Sequence, residues 1–329
     1  MLIYDWIVIG GGVAGCRLSH HLTQKGNSVL LLEKARGLGG RLCHRRTEYG
    51  RYLHGVQYIS IRSQRLYQIL EPYILHTEDV RLHASMQSYD VKTGAWDDSF
   101  SDGSHHRYVV YPNTSVFCAD WSKDATVHLQ EQVQQLHFHE KEELWIVETA
   151  REKYHARHLA STVPWPQMQA ILPAQMQIHC AQGRNAVYHP SASCILRFTE
   201  DWKTTRDFQG CFLRNSPISF LARQDHGDLA SWVAVLEHAW VQQHWKLPTE
   251  QVQEEIIGAL GQLHMGTVPT VAYIDVHWWK YALLQGKYDS PMWYEQWKLL
   301  ITGEGYHSQY RGVEGAVLAV DEWADTLDT

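Results

Sequence analysis

A glycine-rich turn near the amino terminus constrains the fold of this chain more than any other feature. Residues 3–15 read Ile-Tyr-Asp-Trp-Ile-Val-Ile-Gly-Gly-Gly-Val-Ala-Gly, so an apolar run leads directly into the turn. Gly10 permits a tight turn out of a strand, Gly12 lets the backbone approach a pyrophosphate, and Gly15 lets the following helix pack close to the sheet. The pattern predicts a strand, a phosphate-binding turn and a helix in succession.

An acidic residue follows at the spacing that a dinucleotide-binding unit requires. Glu33 ends a second apolar run, 28–32, and its carboxylate can accept hydrogen bonds from both hydroxyls of an adenosine ribose. The helix predicted over 13–25 directs its first amides, including that of Ala14, at the phosphates. A glycine-rich turn without a ligand would need none of these companions, so a bound dinucleotide is the better interpretation.

Composition narrows the class of protein. With 329 residues, 44% of them hydrophobic, the chain is long enough for two domains or for one domain with a large insertion. The net charge is −7 and no basic run is present, which argues against nucleic acid or an anionic membrane as a partner and favours small molecules. We expect a cytoplasmic protein, because there is no apolar stretch of membrane-spanning length, no room for a signal peptide before the first strand, and no Cys-x-x-Cys pair among six cysteines.

The 21 histidines suggest a metal site only weakly. His137 and His139 would share one face of a strand, but the adjacent pairs at 20–21 and 105–106 have no cysteine or carboxylate at ligand spacing. We therefore predict no metal site. Neither a Gly-x-Ser-x-Gly elbow nor a Walker loop occurs, so hydrolase and triphosphatase chemistry are not indicated.

Hydrophobic periodicity predicts further elements along the chain. An antiparallel meander is expected over 131–138, 143–148 and 154–158, while 76–105 reads as a loop-rich insertion. An apolar run covers 58–61. The other predicted strands cover 107–111, 158–163, 186–198, 210–213, 218–222, 231–236 and 299–302, and the predicted helices cover 63–70, 115–122, 249–263 (with Thr249 as N-cap) and 313–327. The dinucleotide domain would thus be completed by the carboxyl-terminal segment, with the second domain inserted.

A second glycine-rich turn follows the acidic residue and points to a flavin. Residues 33–41 read Glu-Lys-Ala-Arg-Gly-Leu-Gly-Gly-Arg, in which Gly40 and Arg41, with Lys34 nearby, would add donors and positive charge to the phosphate end of the site. This pattern resembles the flavin-dependent amine oxidase superfamily. An exposed basic loop is the alternative interpretation.

Four further segments are similar to the renalase-like branch of that superfamily. They are His-Gly-Val-Gln-Tyr at 54–58, Val-Pro-Trp-Pro-Gln at 163–167, His-Trp-Trp-Lys-Tyr-Ala at 277–282, and the closing pair Ile-Thr-Gly-Glu-Gly at 301–305 with Gly-Val-Glu-Gly-Ala at 312–316. The segments span the whole chain in the order of the branch. Four positions depart from its pattern: Leu53 replaces an acid, Val56 an alanine, Trp278 an arginine, and Glu304 the aspartate of the closing Gly-Asp.

The resemblance implies an α/β fold, namely an FAD-binding Rossmann-like domain of the amine oxidase type with an inserted mixed β-sheet substrate domain. It assigns 1–66, 106–168 and 296–329 to the FAD-binding domain, and 67–105 and 169–295 to the substrate domain. The expected FAD-binding residues are Gly10, Gly12, Ala14, Gly15, Glu33, Lys34, Gly40, Arg41, Gln57, Val133, Gly303, Glu304, Val313, Glu314 and Gly315. Independently of the family, Glu304 can bind polyol hydroxyls, and Val313 opens a helix whose amides would stabilise negative charge on a reduced flavin.

Four residues are candidates for catalysis. Gln57 and Tyr58 would lie at the flavin and orient a substrate, His277 would carry a proton, and Lys280 would hold a water molecule near flavin N5. Core packing or surface exposure is the alternative for each. Five tryptophans would either wall an aromatic pocket for a planar substrate or fill the core, and we expect the core for most of them: Trp240, Trp278, Trp279, Trp293 and Trp297.

The expected activity is that of an FAD-dependent oxidoreductase. A small reduced substrate, either a dihydronicotinamide or an amine, would give a hydride to flavin N5, and dioxygen would accept the electrons and form hydrogen peroxide. Two alternatives stay open: an amine or amino-acid oxidase or desaturase in a biosynthetic pathway, and a non-catalytic FAD-binding partner or sensor, which the changes at Leu53 and Trp278 allow.

Overall fold

A computed structural model describes residues 2–74, 86–97, 106–108, 114–224 and 231–327. Eight α-helices lie in this part of the chain: α1 (Val13–Gln24), α2 (Gln64–Leu70), α3 (Val116–Trp121), α4 (Trp165–Ile171), α5 (Ala174–Ala181), α6 (His238–Gln243), α7 (Thr249–Gly261) and α8 (Gly312–Asp325).

The strands of the described residues form two large sheets and two small ones. They are β1 (Ile3–Ile9), β2 (Val29–Glu33), β3 (Arg45–Thr47), β4 (Gly50–Tyr52), β5 (Ile59–Ile61), β6 (Met86–Asp90), β7 (Ala95–Asp97), β8 (His106–Tyr108), β9 (Thr126–Leu129), β10 (Val133–His139), β11 (Leu144–Thr149), β12 (Lys153–Ser161), β13 (Val187–Phe198), β14 (Gly210–Arg214), β15 (Ile218–Arg223), β16 (Ser231–Leu236), β17 (Val271–Gln285), β18 (Trp293–Tyr294) and β19 (Leu299–Ile301).

The first large sheet carries the amino-terminal motif. Its strands run in the order β10-β11-β12-β1-β2-β9, and β19 pairs with β12 as a further parallel strand. Strands β12, β1, β2 and β9 are mutually parallel, and β2 is buried along its whole length. Such continuous burial is typical of a parallel sheet covered on both faces. Helices α1, α3 and α8 pack on one face and α4 and α5 on the other.

The second large sheet has seven strands in the order β17-β13-β16-β15-β14-β6-β7. The long pair β13 and β17 is antiparallel, with irregularities in register near Ser191 and Phe198. Helices α6 and α7 lie against one face, where a core rich in aromatic residues includes Trp202, Phe208 and Trp232. The sheet is mixed, because β6 runs parallel to β14 whereas its other pairs are antiparallel.

The fold class predicted from the sequence is confirmed. The meander is present as β10, β11 and β12, and the strand expected over 158–163 is the end of β12 and not a separate element. The loop prediction for 76–105 is wrong at 86–97, where β6 and β7 form through pairing with β14 and with each other. The remainder of that segment, like residues 109–111 of the strand expected over 107–111, lies outside the described residues.

One smaller prediction is also corrected. Thr249 is not the N-cap of α7: Pro248 is, and its carbonyl accepts the amides of Gln251 and Val252. In the segment 169–181, Met176 and Cys180 of α5 pack in the core of the first sheet. Helices α4 and α5 had not been predicted, because their few apolar residues give little helical periodicity.

Candidate functional site

The glycine turn lies at the carboxyl end of β1, as the sequence predicts. Gly12 is the N-cap of α1, and a Cβ added to it would meet no atom within 4 Å. A Cβ on Gly15 would lie 1.9 Å from the carbonyl oxygen of Gly10, so only glycine fits there. Ala14 is buried beside it. The turn is therefore closed on the protein side and open on the other, where the first amides of α1 have no partner within the helix.

Glu33 lies against this turn. One carboxylate oxygen accepts the amide of Gly11 at 2.7 Å, and the other accepts the amide of Ala35 at the same distance. These two bonds fix the carboxylate at the carboxyl end of β2, and each oxygen keeps acceptor capacity for a further donor. The amide of Glu131, just before Val133, donates to the Glu33 carbonyl at 2.9 Å, so the start of β10 lies beside the same residue.

The second glycine turn packs on the first. The amide of Gly39 donates to the carbonyl of Gly11 at 2.7 Å, and Gly12 and Gly39 form a parallel bridge. A Cβ on Gly40 would be 3.3 Å from the Cα of Gly12. Lys34, by contrast, is exposed and donates to Gln167 at 3.3 Å. The two turns thus form one structure. Together with Glu33 and with Glu304, whose carboxylate meets Arg41, we call it the cradle (residues 10–15, 33, 39–41 and 304).

Arg41 and Glu304 close the cradle with opposite charges. Nη1 of Arg41 lies 2.6 Å from a carboxylate oxygen of Glu304 and donates to the carbonyl of Ala282 at 2.7 Å. Burial alone would lower the pKa of Arg41, but the carboxylate of Glu304 outweighs it and raises that pKa above its ordinary value. Glu304 is itself buried and accepts the amide of Gly312, the first residue of α8, at 3.0 Å.

Of the residues predicted to bind FAD around the start of α8, some lie beside Glu304 and one, Glu314, points elsewhere. Gly303 and Val313 flank the segment that presents Glu304, and a Cβ on Gly315 would lie 2.4 Å from the carbonyl of Tyr310. Glu314, however, is 1% exposed and points to the start of α2, where its carboxylate accepts the amides of Arg62 and Ser63 at 3.1 and 2.7 Å. Its bonds in this structure anchor α2 to α8.

An aromatic group faces the cradle from the second sheet. His54 stands edge-on to His277, with ring centroids 4.8 Å apart, and Trp279 lies 4.3 Å from His277 and 5.4 Å from His54. Burial, with His277 next, lowers the pKa of His54 to about 4, and burial also lowers the pKa of His277. Both imidazoles are therefore neutral at neutral pH. We call His54, His277 and Trp279 the aromatic wall.

Gln57 and Tyr58 lie close to the wall but are occupied by protein contacts. The side-chain nitrogen of Gln57 donates to the carbonyls of Leu53 and Gly55, and its oxygen accepts from Gln224 at 2.7 Å. The ring of Tyr58 packs edge-on against Phe220 at 5.7 Å. Burial raises the pKa of Tyr58, which keeps the phenol protonated. Sequence reasoning gave no signal for Gln224, which lies in no recognisable motif.

Lys280 does not join the aromatic wall. It is exposed, and its ammonium nitrogen lies 5.3 Å from the centroid of the Tyr281 ring. Its neighbour Trp279 is the last residue of β17 in regular register with β13 before an irregularity that extends to Leu283. Of the five tryptophans considered for a pocket, only Trp279 is in the wall; Trp278 packs in the second-sheet core, Trp293 and Trp297 pack against the first-sheet cores, and Trp240 stacks on His244.

The residues present fit a flavin dinucleotide. The open face at Gly12, the first amides of α1, the fixed carboxylate of Glu33 and the charges of Arg41 and Glu304 supply donors for a pyrophosphate and acceptors for ribose and polyol hydroxyls. Among the described residues no cluster of three metal-ligating side chains occurs, and none of the helices in that part of the chain is long and apolar enough to cross a membrane.

Comparison with known proteins agrees with this geometry. Residues 8–72 match the family described as NAD(P)-binding Rossmann-like domain. UDP-galactopyranose mutase of Mycoplasma pneumoniae is 36% identical over 86 residues, 26% of this chain and 18% of that protein. (S)-6-hydroxynicotine oxidase of Paenarthrobacter nicotinovorans is 33% identical over 93 residues, 28% of this chain and 19% of that protein. The matched segments thus span less than a fifth of either relative.

Similarity in three dimensions extends over the whole chain. The structure of putrescine oxidase bound to putrescine superposes with a TM-score of 0.74 and covers 99% of both chains, at 13% sequence identity. At this identity the likeness shows the fold alone. The chain therefore has a Rossmann-like dinucleotide-binding domain and shares its overall fold with putrescine oxidase.

Proposed function

We propose that this protein is an FAD-dependent oxidoreductase of the renalase-like type. The observation that carries the proposal is the cradle, in which two glycine turns, the fixed carboxylate of Glu33 and the Arg41 and Glu304 pair converge at the carboxyl ends of β1, β2 and β19. FAD would accept a hydride at N5 from a small reduced substrate and pass the electrons to dioxygen, with release of hydrogen peroxide.

The roles of the cradle residues follow from their geometry. Glu33 would bind the adenosine ribose, the amides at Gly12 and Ala14 the pyrophosphate, and Glu304 the polyol hydroxyls. Arg41 would neutralise phosphate charge while it keeps its bond to Ala282 of the second sheet. The start of α8 would place its amides and helix dipole where negative charge grows during reduction.

The aromatic wall favours a planar, uncharged donor. His54 and His277 are neutral, and the nearby carboxylate of Asp275 is paired with Arg45 at 2.7 Å. A protonated amine would find no free charge in these groups, whereas a dihydronicotinamide ring can stack on Trp279 and His277. Hydride transfer needs little acid–base chemistry, so the task of the wall is to hold the donor at reacting distance.

An amine oxidase is the second candidate. It is favoured by the similarity to (S)-6-hydroxynicotine oxidase and by the shared fold with putrescine oxidase. In this candidate the cradle would still bind FAD, and an amine instead of a dihydronicotinamide ring would lie against the aromatic wall. In either case we place the protein in the cytoplasm, because its six cysteines are free thiols, as is usual in a reducing compartment.

An anaerobic absorbance titration of the FAD-loaded protein tests the proposal. Bleaching of the flavin band by a mixture of dihydronicotinamide isomers, with hydrogen peroxide on return of air, is the expected result. Bleaching by an amine panel instead selects the second candidate. A flavin band that neither donor class bleaches overturns both candidates in favour of a specialised biosynthetic substrate or a non-catalytic FAD-binding protein, and failure to bind FAD refutes the cofactor assignment.

A further inference from the structure

A row of buried polar contacts joins the second sheet to the segment that follows the cradle. The hydroxyls of Tyr52 and Ser231 are 3.1 Å apart, the amide of Leu53 donates to Gln224 at 3.0 Å, and Gln224 donates to Gln57 at 2.7 Å. Four of these residues are at most 6% exposed, and Leu53 is 8% exposed. We call these five residues the amide seam.

The seam has one consistent hydrogen-bond arrangement. A backbone amide only donates, so the atom of Gln224 that faces Leu53 must be its oxygen, and its nitrogen must face Gln57. The atom of Gln57 that meets this nitrogen must then be an oxygen. The remaining nitrogen of Gln57 accordingly turns back to the carbonyls of Leu53 and Gly55. If the side-chain amide of Gln224 were reversed, its nitrogen would face the backbone amide of Leu53 and its oxygen would face the oxygen of Gln57.

The same segment is attached to the cradle on its other side. The amide of Val56 donates to the carbonyl of Arg41 at 2.9 Å, and a Cβ on Gly55 would lie 2.0 Å from that oxygen. Residues 53–57 are thus held between Gln224 and Arg41. His54, in the middle of this segment, carries its ring to His277 and Trp279. The position of the aromatic wall relative to the cradle consequently depends on both attachments.

We propose that Gln224 is a positioning residue, which sets the placement of the 53–57 segment and of His54 against the bound cofactor. The inference rests on the proposed function for its kinetic consequence. Gln224 touches neither cofactor nor substrate in this role: it acts through Leu53 and Gln57. Displacement of reacting groups by a fraction of an ångström to 1 Å slows an enzymatic step by about tenfold to a hundredfold.

Two substitutions at this position test the role. Gln224→Met keeps the length of the side chain and removes both hydrogen bonds, whereas Gln224→Glu keeps the acceptor for the Leu53 amide and loses the donor to Gln57. Gln177→Met is the matched control. The side chain of Gln177, in α5, donates one hydrogen bond to the carbonyl of Leu172 just after α4, away from the seam. Each variant is loaded with FAD and compared with the unchanged protein.

Three measurements are made on each loaded protein. The dissociation constant of FAD shows whether the cradle is intact. Visible circular dichroism of the flavin reports its surroundings without any substrate. Stopped-flow reduction by the dihydronicotinamide mixture then gives the limiting rate and the dissociation constant of the donor. Gln57→Met and the double variant with Gln224→Met complete a mutant cycle for the limiting rate.

The proposal expects Gln224→Met to slow limiting reduction by about tenfold or more and to alter the flavin dichroism, with both dissociation constants within about threefold of the unchanged protein. Gln224→Glu should slow reduction at least as much as Gln224→Met, because its second carboxylate oxygen faces the side-chain oxygen of Gln57. Gln177→Met should match the unchanged protein, and the mutant cycle should be non-additive. The proposal is overturned if Gln224→Met leaves both the flavin dichroism and the reduction rate unaltered. It is also overturned if the variant is less stable to heat but the FAD-loaded protein is reduced at an unaltered rate. If no donor reduces the unchanged protein, the proposed function fails, and the dichroism still decides the role of Gln224.

Discussion

Nη1 of Arg41 lies 2.6 Å from the carboxylate of Glu304, so that two segments from opposite ends of the chain meet as an ion pair at the cradle. Arg41 comes from the second glycine turn and Glu304 from the segment after β19. The pair also touches the second sheet through Ala282. The guanidinium of Arg41 therefore connects the second glycine turn, the segment after β19 and the second sheet.

Replacing Arg41 should weaken cofactor binding. Arg41→Met removes the cation that we propose for the pyrophosphate and leaves the buried carboxylate of Glu304 without its partner, so we expect FAD affinity to fall by about tenfold to a hundredfold. Fluorescence titration with FAD measures the change. Arg157→Met is the control, because Arg157 is exposed beside Asp5 in the middle of β12, away from the carboxyl ends of the strands where the cradle lies. Equal affinity in both variants would contradict the role of Arg41.

Two glycines of the cradle should respond differently to alanine. Gly12→Ala places its methyl group in open space, so the protein without FAD should unfold within about 0.5 kcal/mol of the unchanged protein, whereas FAD binding should fall sharply. Gly15→Ala sets a methyl group 1.9 Å from the carbonyl of Gly10, so it should destabilise the fold itself. Urea unfolding with and without FAD separates the two effects. Normal FAD binding by Gly12→Ala would show that the pyrophosphate lies elsewhere.

A buried carboxylate gives the first domain a characteristic response to acid. Asp321 of α8 is paired with Arg17 and His21 of α1 at 2.7 Å. Burial alone would raise the pKa of Asp321, but hydrogen bonds from His21 and Arg17 lower it to about 2, from 3.8. The folded state thus gains about 2 kcal/mol above pH 4, which is lost as the pH falls from about 4 towards 2.

Asp321→Asn should remove this dependence. At neutral pH we expect a loss of about 3 kcal/mol, because Arg17 and His21 lose their partner. Between pH 4 and 2 the variant should lose stability less steeply than the unchanged protein. Denaturant unfolding at several pH values measures both slopes. Asp289→Asn is the control, because Asp289 is exposed and its partner, Lys287 at 3.2 Å, is not a partner of Asp321. Identical slopes would exclude Asp321 as the titrating group.

Lys280 and Trp279 should differ in their importance for turnover. Lys280→Met alters an exposed side chain and should leave flavin reduction within about twofold, whereas Trp279→Leu removes the wall on which a planar donor would stack and should slow reduction by about tenfold or more. Anaerobic reduction of both loaded variants makes the comparison. A large effect of Lys280→Met, with FAD affinity maintained, would restore the sequence-based assignment of this lysine.

The sequence was sufficient to predict those parts of the site that are formed by residues close together in the chain. The turn at Gly12 and Gly15, the acid at Glu33 and the second turn at Gly40 follow from spacing alone, and the structure brings them together. Their geometry is set within one β-α-β unit, so no distant contact has to be known. The edges of α1, α3 and α8 were likewise predicted to within about two residues, because their apolar periodicity is strong.

Contacts between remote segments could not be predicted in the same way. Gln224 directly follows β15 and Ser231 begins β16, and nothing in the sequence around either residue shows that they contact residues 52–57. The motif around Gln57 indicated proximity to the flavin but not that its amide is used by Leu53 and Gln224. Lys280 was predicted to be catalytic because of its place in a motif, whereas the fold leaves its side chain exposed.

The division of the cradle between the two ends of the chain also affects its biosynthesis. A ribosome completes the glycine turns and Glu33 early, but β19, Glu304 and α8 follow only after the strands of the second sheet. The nascent chain therefore holds an incomplete cradle until that sheet has been synthesised. Flavin loading must be a late event, and a chain truncated before α8 would be left without cofactor however well its first β-α-β unit folds.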